Sequence, residues 1–182
     1  MTRRNAGRVA VIALLCLIAG CGPTRIFSAD VLQGVDRSFD FAKWRANPNA
    51  DKGRKVELGG RIISGEPSES GTLLLIMQLP IVSRPVYGPV ESKRRTGEFV
   101  VFFPGRLEDP VMTAGNRLIV VGTTGGAREV NVEGERRTTP YITAQCVHIW
   151  QTQGREIADF PDVGAGYYPL DEDTFCSKPS SP

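Results

Sequence analysis

Apolar residues change texture three times along the chain. Residues 9–20, "VAVIALLCLIAG", are apolar or small throughout. They lack the polar face that a surface helix of a globular domain needs. Residues 22–52 are mixed. In them "SFDFAKWRANPN" predicts a short helix, with Ser38 as cap, Phe39 and Ala42 three apart, and Asn47-Pro48 as the stop. The preceding "ADVLQG" adds a turn.

After Gly53 the pattern becomes that of strands. "RKVELGGRIISG" (54–65) places Val56, Leu58 and Ile62 at even positions, and Gly59-Gly60 predicts a bulge or sharp bend. "TLLLIMQLP" (72–80) is short, almost wholly apolar, preceded by "SESG" and closed by Pro80, which predicts a buried strand. "GEFVVFFPG" (97–105) is β-branched and aromatic, another strand. "EDPVMTAGN" (108–116) predicts a short helix with Asp109 as cap, Pro110 at its first position and Gly115 as stop. "RLIVVGTT" (117–124) is a strand, and "GTTGGA" (122–127) reads as a turn. Residues 128–151 form a hairpin turning near Glu133-Gly134, with a long second strand ending at Trp150. From Thr152 the chain is rich in Gly, Pro and acid, which predicts an irregular tail.

Three strands, a short helix and two more strands make the order of an OB-type Greek-key barrel. The expected fold is therefore mainly β, a small OB-like barrel. A short helix lies between its strands three and four, and an N-terminal short helix precedes it. The expected organisation is a leader over 1–20, a linker with a short helix over 21–52, the barrel over 53–151 and the tail over 152–182.

The leader settles compartment. Residues 1–8 carry Arg3, Arg4 and Arg8 and no acid, and an apolar stretch of twelve follows. That describes a secretory signal, since a membrane span needs about 20 apolar residues. The stretch ends Leu17-Ile18-Ala19-Gly20-Cys21, which resembles a bacterial lipobox. The resemblance implies a lipid on Cys21 and cleavage before it. Two or more acyl chains hold firmly where one anchors marginally, because each buried CH₂ contributes about 0.8 kcal/mol. Gly22, where Asp would resemble a retention signal, favours outer-membrane sorting.

Composition then changes meaning. The whole chain has a formal charge of +2, but loss of Arg3, Arg4 and Arg8 leaves 19 Lys+Arg against 20 Asp+Glu, near −1. Net charge thus gives no argument for nucleic acid. Cys146 and Cys176 remain besides the anchor, and an oxidising periplasm permits a disulfide between them.

No GxSxG, HExxH, CxxC, GxGxxG or GxxxxGK[ST] motif occurs, and His148 is the single histidine. Cys146 and His148 lie two apart on one strand, a spacing open to two zinc ligands. A third would still be needed, and the plainer reading is a core cysteine and a strand-end histidine. No metal or cofactor is implied. Lys93, Arg94 and Arg95 form a basic run that suits an anion, a partner or lipid headgroups, or else a solvated connection between Glu91 and Glu98.

The body resembles the Slp family of bacterial outer-membrane lipoproteins. The resemblance rests on "LGGRI" (Leu58–Ile62), "LLIMQLP" (Leu74–Pro80), Arg84-Pro85, Gly97 with Phe99 and "LEDP" (Leu107–Pro110). Further on it takes in Gly115, "LIVVGT" (Leu118–Thr123), Pro140 and "HIW" (His148–Trp150). It covers residues 17–150. Leu58 stands where the family often has Trp, and Thr138-Thr139 where it often has Tyr. The resemblance implies an outer-membrane lipoprotein linked to starvation or stationary-phase physiology, with no catalytic residue to carry over; the expected placement is periplasm-facing.

The expectation is a non-enzymatic envelope lipoprotein, held at the membrane by lipid on Cys21 and acting on a protein or glycan partner. The competing expectation is a tethered OB-type module for a small ligand or oligosaccharide. Exposed aromatics among Phe99, Phe102, Phe103 and Trp150 would favour the second. An enzyme would need Glu57, Glu98 and His148 to converge.

Overall fold

The computed structural model describes residues 26–83, 87–91, 96–132, 134–153 and 170–177. Cys21, the basic run Lys93, Arg94 and Arg95, and most of the tail lie outside the described residues. Two short helices, α1 (Ala29–Leu32) and α2 (Phe41–Ala46), precede the sheet. The strands are β1 (Lys55–Ser68), β2 (Gly71–Leu79), β3 (Ile81–Val82), β4 (Gly88–Pro89) and β5 (Glu98–Phe103). Helix α3 (Asp109–Met112) is followed by β6 (Arg117–Val132), β7 (Glu135–Trp150) and β8 (Glu172–Cys176).

Strand order in the main sheet is β5-β2-β1-β6-β7-β8, antiparallel between neighbours. The sheet curls until β5 meets β7 in parallel, Val100 opposite Tyr141 and Phe102 opposite Thr143. The result is the barrel-like, mainly β fold expected from the order of elements, with α3 between its third and fourth long strands. Inward side chains alternate along each strand, as the pleat requires. Val56, Leu58, Ile62, Leu74, Ile76, Phe99, Val101, Leu118, Val120, Ile142 and Ile149 make one buried cluster.

The two ends are stoppered by the helices. Trp44 of α2 is fully buried and packs edge-on against Phe41 and Phe99. At the other end α3 contributes Val111 and Met112. Asn116, fully buried, locks α3 in place by donating from Nδ2 to the carbonyls of Pro110 and Val111, at 2.9 and 3.0 Å.

Several local expectations change. Asp40, not Ser38, caps α2, accepting from the Ala42 and Lys43 amides, while Ser38 bonds Asp36. The cap of α3 is Glu108, which makes no side-chain capping bond, and Asp109 is already helical. Residues 122–127 are not a turn. They continue β6, with register shifts at Val121/Gly122 and Thr124/Gly126, and Gly126 takes a φ of 89° to absorb the second. The bulge in β1 falls between Ile62 and Ser64 rather than at Gly59-Gly60. Those glycines are needed for close approach instead. A Cβ on Gly60 would strike the Ile76 side chain and sit 2.7 Å from the Met77 carbonyl oxygen.

The tail also departs from irregularity, because Glu172–Cys176 pairs with β7 as β8. Cys146 faces Cys176 across that pair, and the structure joins them in a disulfide with Cα atoms 4.1 Å apart. Their separation of 30 residues closes a loop.

Two tests follow from this packing. Gly60→Ala should lower stability by about 1–3 kcal/mol, the usual cost of overpacking, measured by denaturant unfolding. Non-reducing peptide mapping of protein from the envelope should give a Cys146–Cys176 linked peptide. Cys176→Ser should then lose about 3–4 kcal/mol in the chain-entropy model. Two free thiols in native protein would refute the bond.

Candidate functional site

The runs that looked uniformly apolar in sequence are apolar on both faces of the sheet. Alternate residues fill the core, and the others point outward. They form two separate outer clusters, on different walls of the curl.

The first lies on β6 and β7. Ile119, Val121, Cys146 and Trp150 pack with Phe27, and Ile26, Val31, Leu32 and Val35 lean on the same cluster. Residues 26–35 therefore act as a strap over this wall. Phe27 is 3% exposed, and burying such a side chain contributes about 1.5–3 kcal/mol. The strap is fixed at its far end too. The Asp36 amide donates to the Lys55 carbonyl, and the Asp36 carboxylate pairs with Arg54.

This wall also carries the buried Arg117 and His148. Arg117, 3% exposed, lies 3.3 Å from Glu91, which also meets Arg61 at 3.6 Å. The Glu57 side chain, 7% exposed, sits 3.6 Å from Arg37. Burial pushes the Tyr87 phenol well above its ordinary value, and Glu57 beside it pushes the same way. His148 is buried between strands. Its Nδ1 shares a 2.7 Å hydrogen bond with Thr174 Oγ1, and its Nε2 lies 3.5 Å from Glu172. Its ring meets Trp150 edge-on at 4.3 Å. Burial holds the imidazole below its usual range, against the opposing pull of Glu172 and Asp173.

The groups an enzyme would need are not brought together. Glu57 pairs with Arg37, Glu98 with Arg137 at 3.5 Å, and His148 with Thr174 and Glu172. The Cys146–His148 pair does not offer two ligands, because the Cys146 sulfur is bonded to Cys176. Cys146 is fully buried as expected of a core residue, but in the outer cluster under the strap. Among the described residues no group of three or more His, Cys, Asp or Glu could hold a metal ion.

The second outer cluster lies on β2, β5 and the start of β7. Leu75, Val100 and Tyr141 are buried there, with Ile63, Leu73, Phe102 and Val130 half-covered against them. The β6–β7 arm bends over it at Val130 and Asn131, leaving an open groove of about 250 Å³ floored by Leu73, Leu75 and Val100. Phe102 stacks on Tyr141 at 6.5 Å, and the Arg128 guanidinium covers the other ring at 4.3 Å. Of the four aromatics that a sugar platform would expose, Phe99, Phe103 and Trp150 are buried, and only Phe102 is half-covered.

A family model for the Slp family of outer membrane lipoproteins matches residues 18–174. The chain belongs to that family. The match starts at Ile18, so it takes in Cys21, and it runs past Trp150 to Thr174 within β8. This Slp-family chain is accordingly an outer-membrane lipoprotein. No helix among its described residues is long and apolar enough to cross a membrane. No curated protein matches the chain.

Sequence reasoning named neither the groove nor the strap. The signal was present: "LLLI" and "FVVFF" carry apolar residues at outward as well as inward positions. One further test arises here. An unfolded imidazole takes its proton near 6.5, whereas His148 in the fold takes it only at lower pH. The stability held by neutral His148 is therefore complete above that value and is lost as pH falls through the folded value. Between about pH 7.5 and about pH 5.5 the melting temperature should fall further in the native protein than in His148→Gln.

Proposed function

We propose that this Slp-family lipoprotein is a non-enzymatic binding module. Lipid on Cys21 holds it on the periplasmic side of the outer membrane, and an apolar segment of an envelope protein is its partner. The observation that carries the reading is the open aliphatic groove formed by Leu73, Leu75, Val100 and Val130. Among the described residues Leu73 and Val130 are only half-covered, and the groove between them is open. In OB folds the corresponding wall, strands two and three with the arm between strands four and five, is a ligand-binding face, used there for oligonucleotides and oligosaccharides.

Two observations favour a protein segment over a sugar or a small ligand. Glycan platforms present aromatic faces, and three of the four candidate rings are buried in the core or under the strap. Small-ligand clefts usually hold about 300–1,000 Å³ and enclose their guest, whereas this groove is smaller and open. The dispersal of Glu57, Glu98 and His148 into separate pairings supports the non-enzymatic part.

The test is site-specific photocrosslinking in intact envelopes. A photoreactive residue at Leu73 or at Val130 should give the same discrete adduct, and one at Gln33 on the strap should not. Leu73→Asp should abolish the adduct from position 130 while leaving the melting temperature nearly unchanged. Absence of any adduct from both groove positions, in protein shown to be in the outer membrane, would sink the reading.

A further inference from the structure

The strap limits how the domain sits on its membrane. Cys21 is five Cα steps from Ile26. Five extended residues reach about 18 Å at most. Ile26 and Phe27 are already seated on the β6–β7 wall, against Ile119, Val121, Cys146 and Trp150. A compact chain of this size has a radius of gyration of about 15 Å, hence a diameter near 40 Å and a half-girth of about 60 Å. A tether reaching about 18 Å from one wall is too short to pass round to the opposite one. The groove floor on β2 is the far wall: round the curl, β1 separates β2 from β6 on one side and β5 separates it from β7 on the other.

We propose that the wall of β6, β7 and β8, under the strap, lies against the phospholipid headgroups, so that the groove on β2 and β5 faces the aqueous space. The partner surface here is the bilayer itself. The proposal rests on the reading that Cys21 carries the lipid. It assigns an orientation that the groove alone would not give. The strap's hold decides the matter. Phe27 is buried, the Asp36 amide is bonded to Lys55, and Asp36 is paired with Arg54, so both ends of the strap are fixed to the barrel.

The experiment uses the full lipidated protein in phospholipid vesicles doped with a nickel-chelating headgroup. Single spin labels are placed at Gln33→Cys on the strap and at Asn131→Cys on the groove rim, both exposed positions. Mass spectrometry of the same sample reads the acyl mass on Cys21. The expected result is severalfold stronger relaxation by nickel at position 33 than at position 131. A flexible insertion of twenty Gly and Ser residues after Pro23 should erase the difference. Equal relaxation at the two positions in acylated protein would overturn the orientation and leave the anchor standing. A difference that survives the insertion would overturn the role of tether length. Membrane-bound protein without acyl on Cys21 would overturn both readings at once.

Discussion

The parallel pairing of β5 with β7 is the contact on which the fold depends. Three residue pairs, Val100 with Tyr141 through Phe102 with Thr143, bring the two sides of a five-strand curl together. Without them the inward faces would look across open space, and the core cluster from Val56 to Ile149 would lack half its walls. Curling a sheet so tightly forces backbones close, so side chains must be absent at particular points. Gly60 lies under Ile76 and Met77, and a Cβ on Gly122 would sit 2.5 Å from the Thr143 carbonyl oxygen. The closure also uses only Tyr141–Thr143 of β7's free edge. From Cys146 to Trp150 that edge would carry unpaired backbone groups, which are costly when apolar residues surround them. Strand β8 fills it, and the disulfide pins the strand that does so.

What could be read in the sequence divides along the range of the interactions involved. Strands β1, β2 and β5, and the helix α3 between Pro110 and Gly115, announce themselves through local periodicity and punctuation. The OB-like order follows from them. Strand β8 does not, because "EDTFC" has no apolar face and its residues are mostly exposed. Its conformation comes from a partner strand 30 residues away in sequence and from a covalent bond. The glycines of 122–127 mislead for a related reason. Local chemistry says turn, yet β6 runs on because β7 pairs with it from Arg117 to Val132, and the glycines serve as bulges. The cap of α2 shifted from Ser38 to Asp40 because Ser38 is occupied by Asp36, itself tied to Arg54.

The candidate site was illegible for a different reason. Patterning reveals that a strand is apolar on both faces, but not what covers the outer one. Here the outer faces meet two fates. Ile119 and Val121 are roofed by a strap that begins at Ile26, while Leu73 and Val130 are left half-covered. The aromatics singled out as a ligand platform turned out to be packing residues. Phe99 and Phe103 belong to the barrel core, and Trp150 belongs to the strap's seat.

The asymmetry between the two walls gives the groove its significance. Single exposed aliphatics on a soluble domain need no explanation. A groove that leaves Leu73 and Val130 half-covered on a membrane-bound domain is another matter, because tethering confines every copy to a thin layer and raises its effective concentration. The chain meets that hazard on one wall by spending its own N-terminal segment as a cover, with Phe27 inserted and Asp36 bonded behind it. On the other it folds the β6–β7 arm over the trough at Val130 and stops short of closing it. Arg128 over Tyr141 continues that arrangement, placing a charge at the rim where the apolar floor ends. An apolar floor with a polar, water-facing rim is the anatomy of a protein interface. The same fold thus distinguishes a wall covered by the chain's own strap from one left partly open at Leu73 and Val130.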